Sequence, residues 1–120
     1  MKKNIFSICL SVVFLFSNLY SYAQKQKQEL SVGKYNSIEE ALKAPEKVVI
    51  LDLSKQKLSE VPDEIILFTN LQQLNLSNNK LLELPNFITK LPKLSYLNIS
   101  ANKFSSLPQN IGNLNQLSSI

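Results

Sequence analysis

Few residue types in this chain could carry out chemistry. Its 120 residues include no His, no Trp and no Arg, and Cys9 is the only cysteine. Histidine general bases, zinc sites of Cys and His, arginine clamps on phosphate and disulfide frameworks therefore lack the residues they need. We predict no catalytic, cofactor-binding or metal-binding residues. An enzyme activity would require a further domain beyond residue 120.

Two groups of polar residues resemble reactive groups. Asp63 and Glu64 are adjacent carboxylates, but adjacent side chains diverge, and acids after a proline are favoured by the dipole at a short helix start. Three serines recur at a constant interval with no His to activate them: Ser54, Ser77 and Ser100. Both groups are interpreted as structural.

Residues 1–23 have the form of a secretory signal peptide. Two lysines precede an apolar stretch over residues 5–16, and the small residues Ser21 and Ala23 suit a signal peptidase. The apolar stretch is shorter than the roughly 20 residues of a spanning helix, so we predict cleavage after Ala23 rather than a membrane anchor. Export would lead to the periplasm, the cell surface or the medium. Cleavage would halve the formal net charge of +4 and remove Cys9.

Most of the remaining chain is built from one repeating unit. Residues 48–70, 71–93 and 94–116 align without gaps, and residues 117–120 begin a fourth repeat. The shared pattern is L-x-x-L-x-L-x-x-N-x-L-x-x-L-P-x-x-I-x-x-L. In its L-x-L part, apolar and polar residues alternate, which predicts a short strand with one buried face. The proline, followed by apolar residues at helical spacing, predicts a short helix or 3₁₀ turn.

This pattern resembles the leucine-rich repeat. It is most similar to the 23-residue L-P-x-x-I subclass found in Ras-pathway scaffolds, plant intracellular Ras-group-related proteins and plant disease-resistance proteins, and also to repeats of exported bacterial proteins. The resemblance covers residues 48–120. It implies an α/β leucine-rich repeat solenoid, with a parallel concave sheet, short helices or 3₁₀ turns on the convex side, and an N-terminal capping helix. Export is incompatible with Ras binding, so that function is not expected.

One polar position in each repeat is predicted to lie inside the solenoid. The resemblance implies that the amides of Asn79 and Asn102 bond backbone groups of the neighbouring coil and form a ladder, since a buried amide without partners is costly. Gln56 holds this position in the first repeat. Its extra methylene is expected to disturb the first rung.

A lysine follows each ladder position. Lys57, Lys80 and Lys103 are therefore predicted to form a basic rim, with neighbours about 4.8 Å apart. In water such neighbours repel by only about 1 kcal/mol before screening, so the rim needs no ligand. We interpret it as a solvent-exposed position that is often basic, with a stripe for an anionic polymer or an acidic partner as the alternative. No nucleic-acid partner is predicted.

Two segments lie between the signal and the first repeat. Residues 24–36 are polar and unpatterned, which predicts a flexible linker. Residues 37–47 are predicted to form a cap helix over the edge of the first coil. Ser37 and Glu40 match the Ser-x-x-Glu capping box, Pro45 should end the helix, and the apolar stripe consists of Ile38, Ala41 and Leu42.

The outward positions of the concave sheet are the predicted binding surface, because the resemblance implies binding there. Tyr96 is its one aromatic residue and the first candidate for an interface anchor. An ordinary solvated strand face is the alternative. The candidate contact residues are Gln73, Asn75, Ser77, Tyr96, Asn98 and Ser100.

We therefore predict a non-catalytic protein-protein interaction module that binds a protein or peptide. Three strands with five outward positions each offer fewer residues than the roughly 20 to 30 per side of a standard interface, so binding should be weak. The alternative is a truncated or assembling fragment of a longer leucine-rich repeat protein. No capping element follows Leu114, which favours edge-to-edge self-association at the C-terminus.

Overall fold

The computed structural model describes residues 12–25 and 32–113. The chain divides into two units, Met1–Val32 and Gly33–Ile120. In the first unit, residues 12–25 are helical (α1), and Ser17 Oγ donates a 2.9 Å hydrogen bond to the Phe14 carbonyl. No helix in the described ranges is long and apolar enough to span a membrane. Most of the predicted apolar signal segment, the core of the linker and the start of the fourth repeat lie outside the described residues.

The second unit contains a parallel sheet whose strands are adjacent in chain order, as the sequence predicts. Within residues 33–113 the strands are β1 (Lys34–Tyr35), β2 (Ile50–Asp52), β3 (Gln73–Asn75) and β4 (Tyr96–Asn98). Each strand is followed by a return segment with helical turns. These are helix α2 (Ile38–Ala41) and the 3₁₀ turns Pro45–Lys47, Asp63–Leu67, Asn86–Lys90 and Gln109–Asn113. The predicted α/β solenoid architecture is confirmed.

The strand register follows the repeat period. Ile50 pairs with Gln73, and Gln73 pairs with Tyr96, so each step along the sheet is one full repeat. Because the register is constant, equivalent side chains of successive coils lie next to one another on the same face.

The core lies between the sheet and the 3₁₀ turns. In the first two repeats every predicted apolar position is buried except Leu58, which is half-buried. Prolines precede the 3₁₀ turns, with Pro62 and Pro85 extended just before them, as the L-P-x-x-I pattern predicts. Burial decreases in the third repeat, where Leu107 is 43% exposed although the equivalent Leu84 is 4% exposed.

The structure corrects the end of the predicted linker. Lys34–Tyr35 form β1 and pair with β2, so that Lys34 lies opposite Ile50. The number of residues between these two partners is smaller than the length of one repeat. Gly33 makes this close approach possible: its φ is +82°, and a Cβ there would lie 3.0 Å from the Lys47 carbonyl oxygen. The Gly33 carbonyl accepts the Ile50 N–H at 2.7 Å.

The cap segment differs from its prediction in detail. Ser37 is the N-cap residue of α2, but its hydroxyl makes no capping bond. The Glu40 carboxylate is paired with Lys43 Nζ at 2.7 Å, and the predicted capping box does not form. The helix ends at Ala41, before Pro45, which instead opens a 3₁₀ turn. Ala41 is buried, as the predicted apolar stripe requires, whereas Leu42, which the prediction also placed in that stripe, is 37% exposed.

Asn79 joins two coils through its side-chain amide. Its Oδ1 accepts the N–H groups of Gln56 and Leu58 at 3.1 and 3.0 Å. Its Nδ2 donates to the carbonyls of Leu53 and Leu76, both at 2.9 Å. Asn79 is 8% exposed, so these bonds satisfy an amide that has little access to water.

Asn102 repeats the arrangement one coil later. Its Nδ2 donates to the Leu76 and Ile99 carbonyls at 2.9 and 3.0 Å, and its Oδ1 accepts the Leu81 N–H at 3.1 Å. Gln56, at the same position of the first repeat, is exposed and bonds differently. Its Nε2 donates a 2.8 Å hydrogen bond to the Asn36 carbonyl. The longer side chain thus reaches the preceding coil from outside.

A left-handed residue precedes each ladder position. Lys55, Asn78 and Ala101 have φ values of +59°, +56° and +52°. This conformation costs a residue with a Cβ about 1–2 kcal/mol, less for Asn, whose side chain forms local hydrogen bonds. The turn into the solenoid is therefore made against the local preference of two of these three residues.

Candidate functional site

The concave face presents two rows of side chains that cross the strands. The first row runs from Lys34 through Ile50 and Gln73 to Tyr96, as the strand pairing requires. At about 4.8 Å per strand it spans about 14 Å. It therefore combines a cation, an aliphatic group, an amide and a phenol in one line.

The second row lies at the ends of the strands, and its side chains form hydrogen bonds within the turns that follow. Asp52, Asn75 and Asn98 each accept, through Oδ1, the backbone N–H of the serine two residues later, at 3.0, 3.1 and 3.1 Å. Side-chain oxygens used in this way form Asx turns, which replace a backbone turn. Asn75 and Asn98, two of the predicted contact residues, therefore hold the surface in place with their acceptor oxygens.

The two predicted serines differ in accessibility. Ser77 is 5% exposed, so the structure removes it from the predicted binding surface. Its position between two complete coils explains this burial. Ser100 is exposed, and its hydroxyl donates to Asn98 Oδ1 at 2.8 Å.

A shallow cavity of about 160 Å³ lies where the two rows meet. Gln73, Asn75 and Tyr96 were predicted contact residues, and the structure brings them together here. Tyr96 is 38% exposed. The cavity is lined by Lys34, Ile50, Leu51, Asp52, Gln73, Asn75 and Tyr96. Lys34 could not be assigned to it from the sequence, because no repeat pattern marks β1.

Asp52 is the one acidic residue in these two rows. Burial raises the pKa of its carboxyl, but hydrogen bonds from Ser54, from both its hydroxyl and its N–H, and from the Asn75 side chain lower it. The charge of Lys34 acts in the same direction, and the net pKa is below the ordinary value of 3.8. The carboxylate is therefore ionised at neutral pH and held by its own turn.

The predicted basic rim is exposed. The N–H groups of Lys80 and Lys103 bond the Leu58 and Leu81 carbonyls of the preceding coils at 2.8 and 2.9 Å. Lys57 differs from these two lysines in its left-handed backbone, with a φ of +59°. Among the residues that the structure describes, no group of three or more His, Cys, Asp or Glu side chains is placed to hold a metal ion.

Parallel coils with inward-facing leucines and an internal asparagine ladder define a leucine-rich repeat solenoid. The leucine rich repeat family model matches residues 46–104. A leucine-rich repeat protein of Leptospira interrogans has a similar solved structure, with 38% sequence identity and a TM-score of 0.65. The match covers 72% of this chain and 22% of that one, so this chain spans about a fifth of that protein's length. No curated protein sequence matches.

This chain thus has the leucine-rich repeat fold. Domains of this fold are generally protein-protein interaction modules and typically bind proteins, and leucine-rich repeat proteins are generally non-enzymatic scaffolds.

Replacing Asp52 with Asn should make the stability of the sheet respond differently to pH. Because the folded pKa lies below the unfolded value, the carboxylate's contribution is fully present above the unfolded pKa and is lost as pH falls through the folded pKa. Asn at the equivalent positions 75 and 98 keeps the same turn.

Urea unfolding at several pH values checks this expectation. The wild type should be more stable than Asp52→Asn at neutral pH, and the difference should shrink below pH 3.8. A difference that does not change with pH would show that the charge of Asp52 has no role.

Proposed function

We propose that this chain is a non-catalytic binding module whose concave sheet recognises a protein or an extended peptide. The main support for this proposal is the cavity at the first row. Its lining includes the exposed side chains of Gln73 and Tyr96 and the half-buried side chain of Ile50. An aromatic ring beside an apolar floor suits an interface anchor, since aromatic residues supply much of the binding energy of protein contacts.

The contact residues have separate roles in this proposal. Gln73 and Tyr96 carry recognition, because their side chains are exposed in the first row. Asn75 and Asn98 hold the surface rigid through their Asx turns. A rigid surface loses little conformational entropy on binding, which offsets part of the cost of association. The small area still implies a weak interaction.

The cavity gives Tyr96 a testable role. A peptide selected from a random display library on the purified chain should lose about tenfold in affinity with Tyr96→Ala, because the ring supplies most of the apolar contact. Lys80→Ala, which changes the basic rim, should have a smaller effect. Fluorescence anisotropy measures both, and the reverse order would favour the basic rim as the binding surface.

We also propose that the protein is exported and belongs to the L-P-x-x-I type found in exported bacterial proteins. Support comes from the lysines, apolar stretch and small residues at positions 1–23, and from the 3₁₀ turns that follow Pro62, Pro85 and Pro108. Mass spectrometry of the protein from an expressing cell should find Gln24 at the N-terminus. An intact Met1 in the membrane fraction would contradict the proposal.

A second candidate function is assembly with further repeats, as a structural unit of a longer solenoid. It is favoured by the loss of burial in the third coil, where Leu107 is 43% exposed while its equivalent Leu84 is buried. Phe104 and Ile111 are half-buried, whereas their equivalents Leu81 and Ile88 are fully buried. A following coil, from the same or another chain, would cover this surface.

Adding a coil tests this candidate. A copy of residues 71–93 fused after residue 116 should bury Leu107 and raise the urea midpoint, because coil stability includes the interface with each neighbour. A scrambled sequence of the same length and composition at the same place is the control. An equal urea midpoint for both fusions would contradict the proposal that a further coil packs against the third coil.

A further inference from the structure

A strip of alternating charge lies where the chain leaves the strands, beside the sheet and outside the proposed concave site. We call this surface the lateral strip and define it by Lys57, Glu60, Lys80, Leu82, Glu83 and Lys103. All six side chains are exposed. The lysines form one column, and the two glutamates form a second column three residues further along the chain, with the same repeat period.

Leu82 stands at the centre of the strip. It is 61% exposed, and the equivalent positions in the neighbouring coils hold the small residues Ser59 and Ser105. It lies between Lys80 and Glu83 in the middle coil. An exposed leucine that protrudes between two serines is the kind of apolar centre that interfaces bury within a polar rim.

A cavity of about 420 Å³ opens beside Leu82. Glu60, Asp63 and Glu83 supply carboxylates to its lining, together with the apolar Val61 and Pro85. The lining contains no lysine. The cavity can therefore accept an ammonium group or an aliphatic side chain from outside.

The charges of the strip have no ion-pair partners within residues 32–113. The ion pair there joins Lys43 to Glu40, in the cap segment. Backbone bonds from Lys80 to Leu58 and from Lys103 to Leu81 hold these two lysines at the spacing of the coils, whereas Lys57 has a different backbone conformation, with a φ of +59°. The two columns are of opposite sign, and their exposed side chains are open to a partner.

We propose that a second copy of this chain docks on the lateral strip, side by side and parallel, around a two-fold axis along the solenoid. Such an axis exchanges the two columns and keeps each coil level with its equivalent. Lys80 of one copy faces Glu83 of the other, Lys57 faces Glu60, and the two Leu82 side chains meet on the axis.

Charge complementarity selects this occupant over a peptide of one sign. A basic peptide would be attracted by the glutamates but repelled by the lysines two or three residues away. An acidic peptide would be attracted by the lysines but repelled by the glutamates. A second copy presents both columns at the matching spacing. Exposed ion pairs each contribute little, so the pairing selects the orientation and Leu82 decides the affinity.

Sedimentation equilibrium of the purified chain tests the dimer. We expect a reversible dimer, with a dissociation constant raised about tenfold by Leu82→Ser. Lys80→Glu and Glu83→Lys should each weaken it, and the double variant should restore it, because the swapped charges again face each other. Lys90→Glu, on an exposed residue of a 3₁₀ turn outside the strip, is the control and should change nothing.

Several outcomes would overturn the proposal. These are a chain that stays monomeric at every concentration, a dimer that survives Leu82→Ser, and single charge reversals that the double variant does not rescue. A dimer that survives Leu82→Ser would point to the open third coil instead. Tighter binding of a lysine-rich or glutamate-rich peptide, blocked by Leu82→Ser, would assign the strip to that peptide.

Cysteine crosslinking tests the parallel orientation. In a Cys9→Ser background, Ser59→Cys should form a disulfide with its own copy, because the two-fold axis brings equal coils together. An antiparallel pair would instead join Ser59→Cys to Ser105→Cys when the two variants are mixed. The second result would overturn the parallel arrangement, and failure of the Tyr96 experiment would leave it untouched.

Discussion

Each coil leaves its strand through backbone groups that face the interior of the solenoid, where water has little access to them. Asn79 satisfies four of these groups from two coils with one amide. Leaving a buried backbone group without a partner costs about 1–3 kcal/mol, so a coil is stable only when a neighbour supplies the matching donors and acceptors. This requirement fixes the strand register, aligns the turns and places equivalent side chains in columns.

The repeat region could be predicted from sequence because period and burial agree there. Ile50, Gln73 and Tyr96 pair at the interval that the repeat alignment gives. The first strand could not be predicted, because Lys34–Tyr35 lies closer to its partner along the chain than one repeat and lacks the leucine pattern. The third coil could be recognised, but the exposure of Leu107 depends on what packs beside it, which a pattern within one coil cannot show.

The candidate site was predictable as a face but not as a set of contacts. Alternation along a strand assigns Asn75 and Tyr96 to one side, and the structure agrees. It cannot show that Asn75 closes a turn onto Ser77, or that Ser77 becomes buried, because both depend on the path of the chain after the strand. The sequence therefore marks where a partner could bind, whereas the turns determine which atoms stay available to it.

The constant register also has a genetic consequence. Coils two and three use the same strand interval, the same ladder residue and the same turn after the strand, so the main backbone contacts between neighbouring coils recur. Unequal recombination that gains or loses the codons of one whole repeat would keep every surviving contact in register. The shorter step at Gly33 is different, because a copied coil could not replace it. A gain or loss of whole coils would therefore leave the register of the remaining strands unchanged, whereas β1 depends on its own shorter step at Gly33.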